Sequence, residues 1–250
     1  MKRAILLSTS IISFILFQGL VVRDDIPDSR FIELAKKYSQ ICHLPMGEAT
    51  VIDPSWILTA GHIGRDLLRD KNNGYSPTVK CNGQEYMIEK VLIHPSFHDT
   101  PNGILNDIAL VKIQGVFKNV VPAKIYSKED EAGKKITIVG MGDIGTGLTG
   151  PQKWDKITRA ATNIIDGVDS LWIHFTFDSP NSDKATELEG VSGPGDSGGP
   201  AFYEIDSKKY IVGVSSHQVS GNGKGRYSAV EYYSRVSSYS AWIKQVIDHK

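Results

Sequence analysis

The chain has 250 residues, and its 28 basic and 28 acidic side chains leave no net charge at pH 7. That balance excludes an overall field drawing it to nucleic acid or an anionic membrane, and no basic run is long enough to supply a local one. A hydrophobic content of 40% with 24 glycines fits a turn-rich globular protein, built as one large all-β domain or two small ones.

In chain order, Lys2 and Arg3 precede the apolar run Ala4 to Phe17, which reads as an export signal over residues 1–20. Counting Leu20, Val21 and Val22 brings the run towards the ~20 residues that span a bilayer, so a retained membrane anchor is the alternative. Either way the remainder is expected to be secreted, periplasmic or at the cell surface. Ser29 to Tyr38 has apolar residues at helical spacing and predicts one or two helical turns.

Beyond it lie short apolar segments separated by Gly, Pro, Asn and Asp. They include Thr50–Ile52, Trp56–Thr59, Tyr86–Ile88, Ile108–Ile113, Lys135–Val139, Leu171–Phe177, Tyr210–Val214 and Ala229–Tyr233. Repeated short strands of this kind predict β-barrels or a sandwich. The Pro-containing stretch Gly115 to Ala123 divides the β-rich halves 21–120 and 121–250. Tyr239, Trp242, Ile243, Val246 and Ile247 fall on one face of a terminal helix.

Cys42 and Cys81 permit one disulfide in an exported chain, although spacing does not show that they meet. His94 and His98 sit in a turn-rich segment and read as surface histidines. Asp70 to Gly74 reads as a turn, because the terminal Glu of a calcium loop is missing. There is no zinc spacing and no phosphate loop, so no metal or cofactor is expected.

Hydrolysis by a serine needs a hydroxyl, a base to take its proton, a carboxylate to orient the base, and N–H donors for the oxyanion. Gly195-Asp196-Ser197-Gly198-Gly199-Pro200 offers Ser197 as nucleophile on a glycine-rich turn, with Gly195 and Ser197 as N–H donors. Trp56-Ile57-Leu58-Thr59-Ala60-Gly61-His62 places a histidine just past a strand, and Asn106-Asp107-Ile108-Ala109-Leu110 places an acid at the start of another.

These three segments resemble those of the trypsin-like (chymotrypsin-fold) serine peptidases, in the same chain order, with His62 and Asp107 45 residues apart and Asp107 and Ser197 90 apart. Val91-Leu92-Ile93-His94-Pro95, Gly140-Met141-Gly142, Val214-Ser215-Ser216, Tyr233-Ser234-Arg235-Val236 and Trp242-Ile243 extend the resemblance over most of the chain. It implies two packed six-stranded β-barrels with a C-terminal helix, and a catalytic triad of His62, Asp107 and Ser197 in the cleft between them. It also implies a peptide or protein substrate, an acyl-enzyme and no cofactor. Ser216 is expected to support Asp107 and present backbone to the substrate.

By the same resemblance, Val191 falls at the base of the primary pocket with Ser192 beside it. Gln218 stands where the family has a pocket-lining glycine, and Glu231 falls on the wall. A carboxylate there favours a basic side chain before the scissile bond, whereas Gln218 narrows the pocket. Asp196 is expected to pair with an N-terminal amine freed by cleavage, for which Val21 lies at the family's spacing. Ile63 and Gly193 replace cysteines usual in the family, which points to a disulfide-poor, bacterial-looking branch. A non-catalytic binding protein on the same scaffold and an esterase are the rival functions.

Overall fold

The β-branched and aromatic segments between turns form strands, where their side chains pack on pleated, half-buried surfaces. The computed structural model describes residues 20–101 and 103–248. The export segment expected over residues 1–20 lies outside them except for Leu20. None of the described helices is long and apolar enough to cross a membrane.

Six strands of the N-terminal half pair in the order Ile41–Leu44, Gly47–Asp53, Trp56–Thr59, Ala109–Ile113, Gln84–Ile93 and Thr78–Cys81, and close into a barrel. The seam closes where Cys42 and Cys81 face each other across the ladder, fully buried and joined as a disulfide. Val51, Ile57, Leu58, Leu110, Val111 and Ile113 fill the interior.

The second half is also a curled β-sheet, but its ladder is not closed. Its order is Arg159–Ile164, Lys135–Gly140, Pro200–Ile205, Lys208–Val219, Val230–Arg235, Trp172–Thr176 and Gly167–Val168, with Lys124–Ile125 alongside Lys208–Val219. With the closed first barrel, this half-barrel sheet gives the expected mostly-β fold of two packed β units ending in a C-terminal helix. Across the gap, the Asn163 side-chain amide donates to Thr176 O at 2.9 Å and Gly190 O at 3.2 Å. A buried side chain thus ties the strand Arg159–Ile164 both to Thr176 and to Gly190 of the neighbouring smaller sheet. A smaller sheet, Gly150–Trp154, Asp143–Thr146, Val21–Val22 and Gly190–Val191, lies beside it.

Helix α1 (Asp28–Ala35) overlaps the predicted segment Ser29 to Tyr38, starting one residue earlier, and buries Phe31 and Ala35. Its first residue is bound by the buried Arg159, whose guanidinium reaches both Asp28 oxygens at 2.6 and 2.7 Å and also bonds Asp155. A guanidinium is accommodated in the interior only with such partners. Helix α2 (Gly61–Asn72) was not foreseen; it buries Ile63 and Leu67, one turn apart, and ends in Arg69 and Lys71, which complement the negative end of the helix dipole. The predicted turn at Asp70–Gly74 is the end of this helix. Helix α3 (Val236–Asp248) presents the predicted apolar face, with Tyr239 and Ile243 buried. His94 is not a free surface side chain: it packs edge-on against Tyr239 and Trp242, 5.1 and 5.0 Å between ring centroids. One apolar cluster joins Leu58, Ile63 and Leu110 of the first half to Val214, Val236 and Ile243 of the second, and the residues singled out above converge beside it.

Candidate active site

His62 occupies the first turn of α2, where backbone N–H groups lack helical acceptors. Its own N–H is donated to Asp107 Oδ1 at 2.8 Å, and its ring Nδ1 lies 2.8 Å from Asp107 Oδ2. One carboxylate therefore satisfies the helix end and fixes the imidazole together. Asp107 is aimed by the residue before it: Asn106 takes φ +51, a left-handed conformation that asparagine tolerates, and its side chain donates to Ser96 O at 2.8 Å.

Asp107 is fully buried. Ser216 Oγ donates to its Oδ2 at 2.6 Å, and Ser234 Oγ to its carbonyl at 2.7 Å. Burial alone would raise the carboxyl pKa, but the His62 and Ser216 hydrogen bonds and the His62 charge outweigh it, and the group titrates below the ordinary Asp range.

The turn bearing Ser197 is pinned on both sides. Glu48 N–H donates to Ser197 O at 2.8 Å, and Gly198 N–H to Ser215 O at 2.9 Å. Gly198 has φ +82 and packs so closely on Thr59 and Ala60 that a Cβ there would overlap the Thr59 hydroxyl. The nucleophile turn thus abuts the strand end leading to His62. Among the described residues the Gly195 and Ser197 N–H groups have no protein acceptor, and both residues line the same cavity. The Ser197 hydroxyl makes no hydrogen bond among the described residues; such contacts are often long in free enzymes and tighten on binding.

Asp196 points inward. Its carboxylate accepts Gly193 N–H at 3.0 Å and Gly142 N–H at 3.2 Å. Burial, with a contribution from neighbouring Glu48, pushes its pKa up to about 8 against those N–H groups. Val21, the expected partner, lies in a strand between Gly145 and Val191, and no bond joins it to Asp196.

A cavity of about 320 Å³ beside Ser197 is lined by Ser192, Ser216, Gln218, Lys224 and Glu231 among others. Val191 does not line it; the side chain is fully buried in an apolar cluster with Val21. Nor is Glu231 an open wall carboxylate. It is 2% exposed, and its oxygens accept the Gln218 amide and, at 3.2 Å, Ser192 Oγ. Gln218 is itself clamped, donating to Ser192 O at 3.3 Å and accepting Gly225 N–H at 2.6 Å.

Burial raises the Glu231 carboxyl from 4.5 to about 8, against the Gln218 and Ser192 bonds. The folded chain therefore holds a proton that the unfolded chain releases, so stability falls as pH rises from 4.5 to about 8. Glu231→Gln is expected to remove part of that fall, checked by urea unfolding of both proteins at the two ends of the window.

Three contributors escaped sequence reasoning. Lys224 lines the cavity. His217 also lines it and stacks on Tyr232, 4.9 Å between centroids at an interplanar angle of 4°. Glu48, buried on a strand, binds His43 Nδ1 at 2.6 Å and accepts Met141 N–H at 3.1 Å. The signal available for Glu48 was a carboxylate next to the apolar and hydroxyl run Ala49–Ile52.

A family model described as Trypsin matches residues 35–243, a range that contains His62, Asp107 and Ser197. The chain is 25% identical over 207 residues to Factor V activator of Macrovipera lebetinus, covering 79% of this chain and 76% of that protein. It is 24% identical over 237 residues to Urokinase-type plasminogen activator of Gallus gallus, covering 78% and 49%. It is 25% identical over 211 residues to Phenoloxidase-activating factor 3 of Holotrichia diomphalia, covering 78% and 58%. The chain thus spans about half the length of the latter two.

Proposed function

The chain belongs to the trypsin family, and from that premise we propose that it is a serine endopeptidase acting through an acyl-enzyme. The observation that carries this reading is the buried Asp107 carboxylate holding His62 by both its backbone N–H and its Nδ1, beside the Ser197 turn. Ser197 Oγ attacks the carbonyl carbon while His62 Nε2 takes its proton, and Gly195 and Ser197 N–H groups face the oxyanion. Collapse passes that proton to the leaving amine, and water repeats the sequence to free the acid. Asp107 keeps His62 in the tautomer with Nδ1 protonated, and Ser216 holds Asp107.

Specificity follows from the sealed carboxylate. A long basic side chain reaches Glu231 only by displacing the clamped Gln218, so a small or uncharged polar residue before the scissile bond fits better. Gln218→Gly is expected to raise kcat/KM for substrates with Arg or Lys at that position by about 10-fold, as a buried carboxylate gains a charged partner. Paired peptides with Arg and Ala there provide the measurement.

Three further parts belong to this reading. The export signal delivers the chain outside the cytoplasm. Cleavage frees an amine at Val21 that neutralises Asp196, a buried carboxylate with no salt-bridge partner among the described residues. Placement in a disulfide-poor, bacterial-looking branch rests on Ile63 and Gly193.

The test is intact mass before and after a fluorophosphonate probe, with the adduct mapped by digestion. One adduct on Ser197, with cleavage of an unfolded protein substrate, is the expected result. An adduct with turnover of small esters alone would favour an esterase. A folded, processed chain that takes no label would be a binding protein and would overturn the proposal.

A further inference from the structure

A second and larger groove, about 990 Å³, also has Gly195 in its lining. Its walls come from α1, from the strands Ile41–Leu44 and Thr78–Cys81, and from residues 154–158. Gly195 lines both this groove and the smaller cavity holding Ser192, Gln218 and Glu231. On the peptidase reading, Gly195 is the shared wall over which a polypeptide with its acyl side chain in the small polar cavity would pass into the larger groove.

The accessible charge in that groove has one sign. Lys36, Lys80 and Lys156 line it, all exposed. Lys36 shares its ammonium with Glu33 at 2.5 Å, whereas Lys80 and Lys156 have no salt-bridge partner among the described residues. Lys156 is held in the left-handed region, φ +63, with its ammonium 5.1 Å from the Trp154 ring centroid. A non-glycine residue in that conformation carries local strain, which surrounding structure must maintain. The carboxylate in the lining, Glu48, is 3% exposed and already occupied by His43 and Met141 N–H. His43 is the partner of that carboxylate: burial works against its protonation, but Glu48 outweighs it and its pKa is raised, so the pair adds no net negative charge to the groove. Half-exposed Trp154 and Ile157 offer apolar contact between the lysines.

We propose that this groove selects polypeptides with acidic residues immediately after the scissile bond. The inference rests on the peptidase reading and names the substrate class for it.

The experiment starts from a bond that the full chain cleaves in an unfolded protein. Two synthetic peptides, identical up to that bond, carry either alanines or Asp and Glu at the second and third positions beyond it. The acidic peptide is expected to show a kcat/KM at least about 5-fold higher at low salt, with the ratio shrinking at high salt. Lys80→Glu combined with Lys156→Glu should reverse the preference, and Lys244→Glu on α3 should leave it in place. A wild-type ratio near one overturns the inference without recourse to any variant, as does a preference unchanged in the double variant. Failure of the probe to label the chain would instead overturn the peptidase reading, so the two failures are distinguishable.

Discussion

Ser197→Ala is expected to lower kcat/KM by about 10⁶-fold, the scale on which loss of a triad serine acts. The reason lies in what the substitution leaves alone. The Ser197 hydroxyl has no hydrogen-bond partner among the described residues, so its removal orphans nothing. The contacts that hold the turn are backbone ones, from Glu48 N–H to Ser197 O and from Gly198 N–H to Ser215 O, and alanine keeps both. Thermal unfolding should therefore match wild type within experimental scatter, while the fluorophosphonate adduct disappears. Residual hydrolysis above the rate in water would come from the oxyanion donors and substrate binding alone. Steady-state kinetics on a peptide and an ester, with titrated protein concentration, make the comparison. A loss below 100-fold would show that another group is the nucleophile.

What was legible in the sequence is what chemistry confines to a few residues. A histidine after Trp56–Thr59, an acid before Ala109–Ile113 and a serine between glycines each need a strand end or a tight turn, and turn chemistry is local. Register is not local. His43 and Glu48 are partners across one hairpin, and Gln218 and Glu231 are partners across another, so each pair is obvious only once the ladder is known. The second pairing also depends on a shift between Ser215 and His217, which turns Gln218 towards Glu231 and seals the carboxylate that sequence placed on an open wall. Cys42 and Cys81 became a pair for the same reason. Helix α2 was missed because Gly61 and Gly64 lower its intrinsic propensity, while packing of Ile63 and Leu67 supplies what propensity lacks.

Asp107→Asn is expected to lower kcat by about 10⁴-fold with a much smaller change in KM. The carboxylate faces donors only: His62 N–H at Oδ1, and His62 Nδ1 with Ser216 Oγ at Oδ2. An amide has one acceptor oxygen and one donor nitrogen, so either orientation sets an NH₂ against a group that must donate. With the NH₂ towards His62 Nδ1, the ring takes the opposite tautomer, and Nε2 carries a hydrogen where it must accept one from Ser197. With the NH₂ towards His62 N–H, the helix end loses its acceptor and the ring is no longer held. Ionisation does not rescue the variant, since an amide has no acidic form to lose.

In the wild type, the depressed Asp107 pKa means that its contribution to stability is complete above the ordinary Asp value of 3.8 and is lost only as pH falls through the lower folded-state value. The acid limb of activity should accordingly report a group other than Asp107. Ser216→Ala removes one of the three donors to the carboxylate and leaves the His62 contacts, so its loss of kcat should be far smaller. Equal losses for Asp107→Asn and Ser216→Ala would mean that burial of the charge, rather than orientation of His62, is what Asp107 supplies.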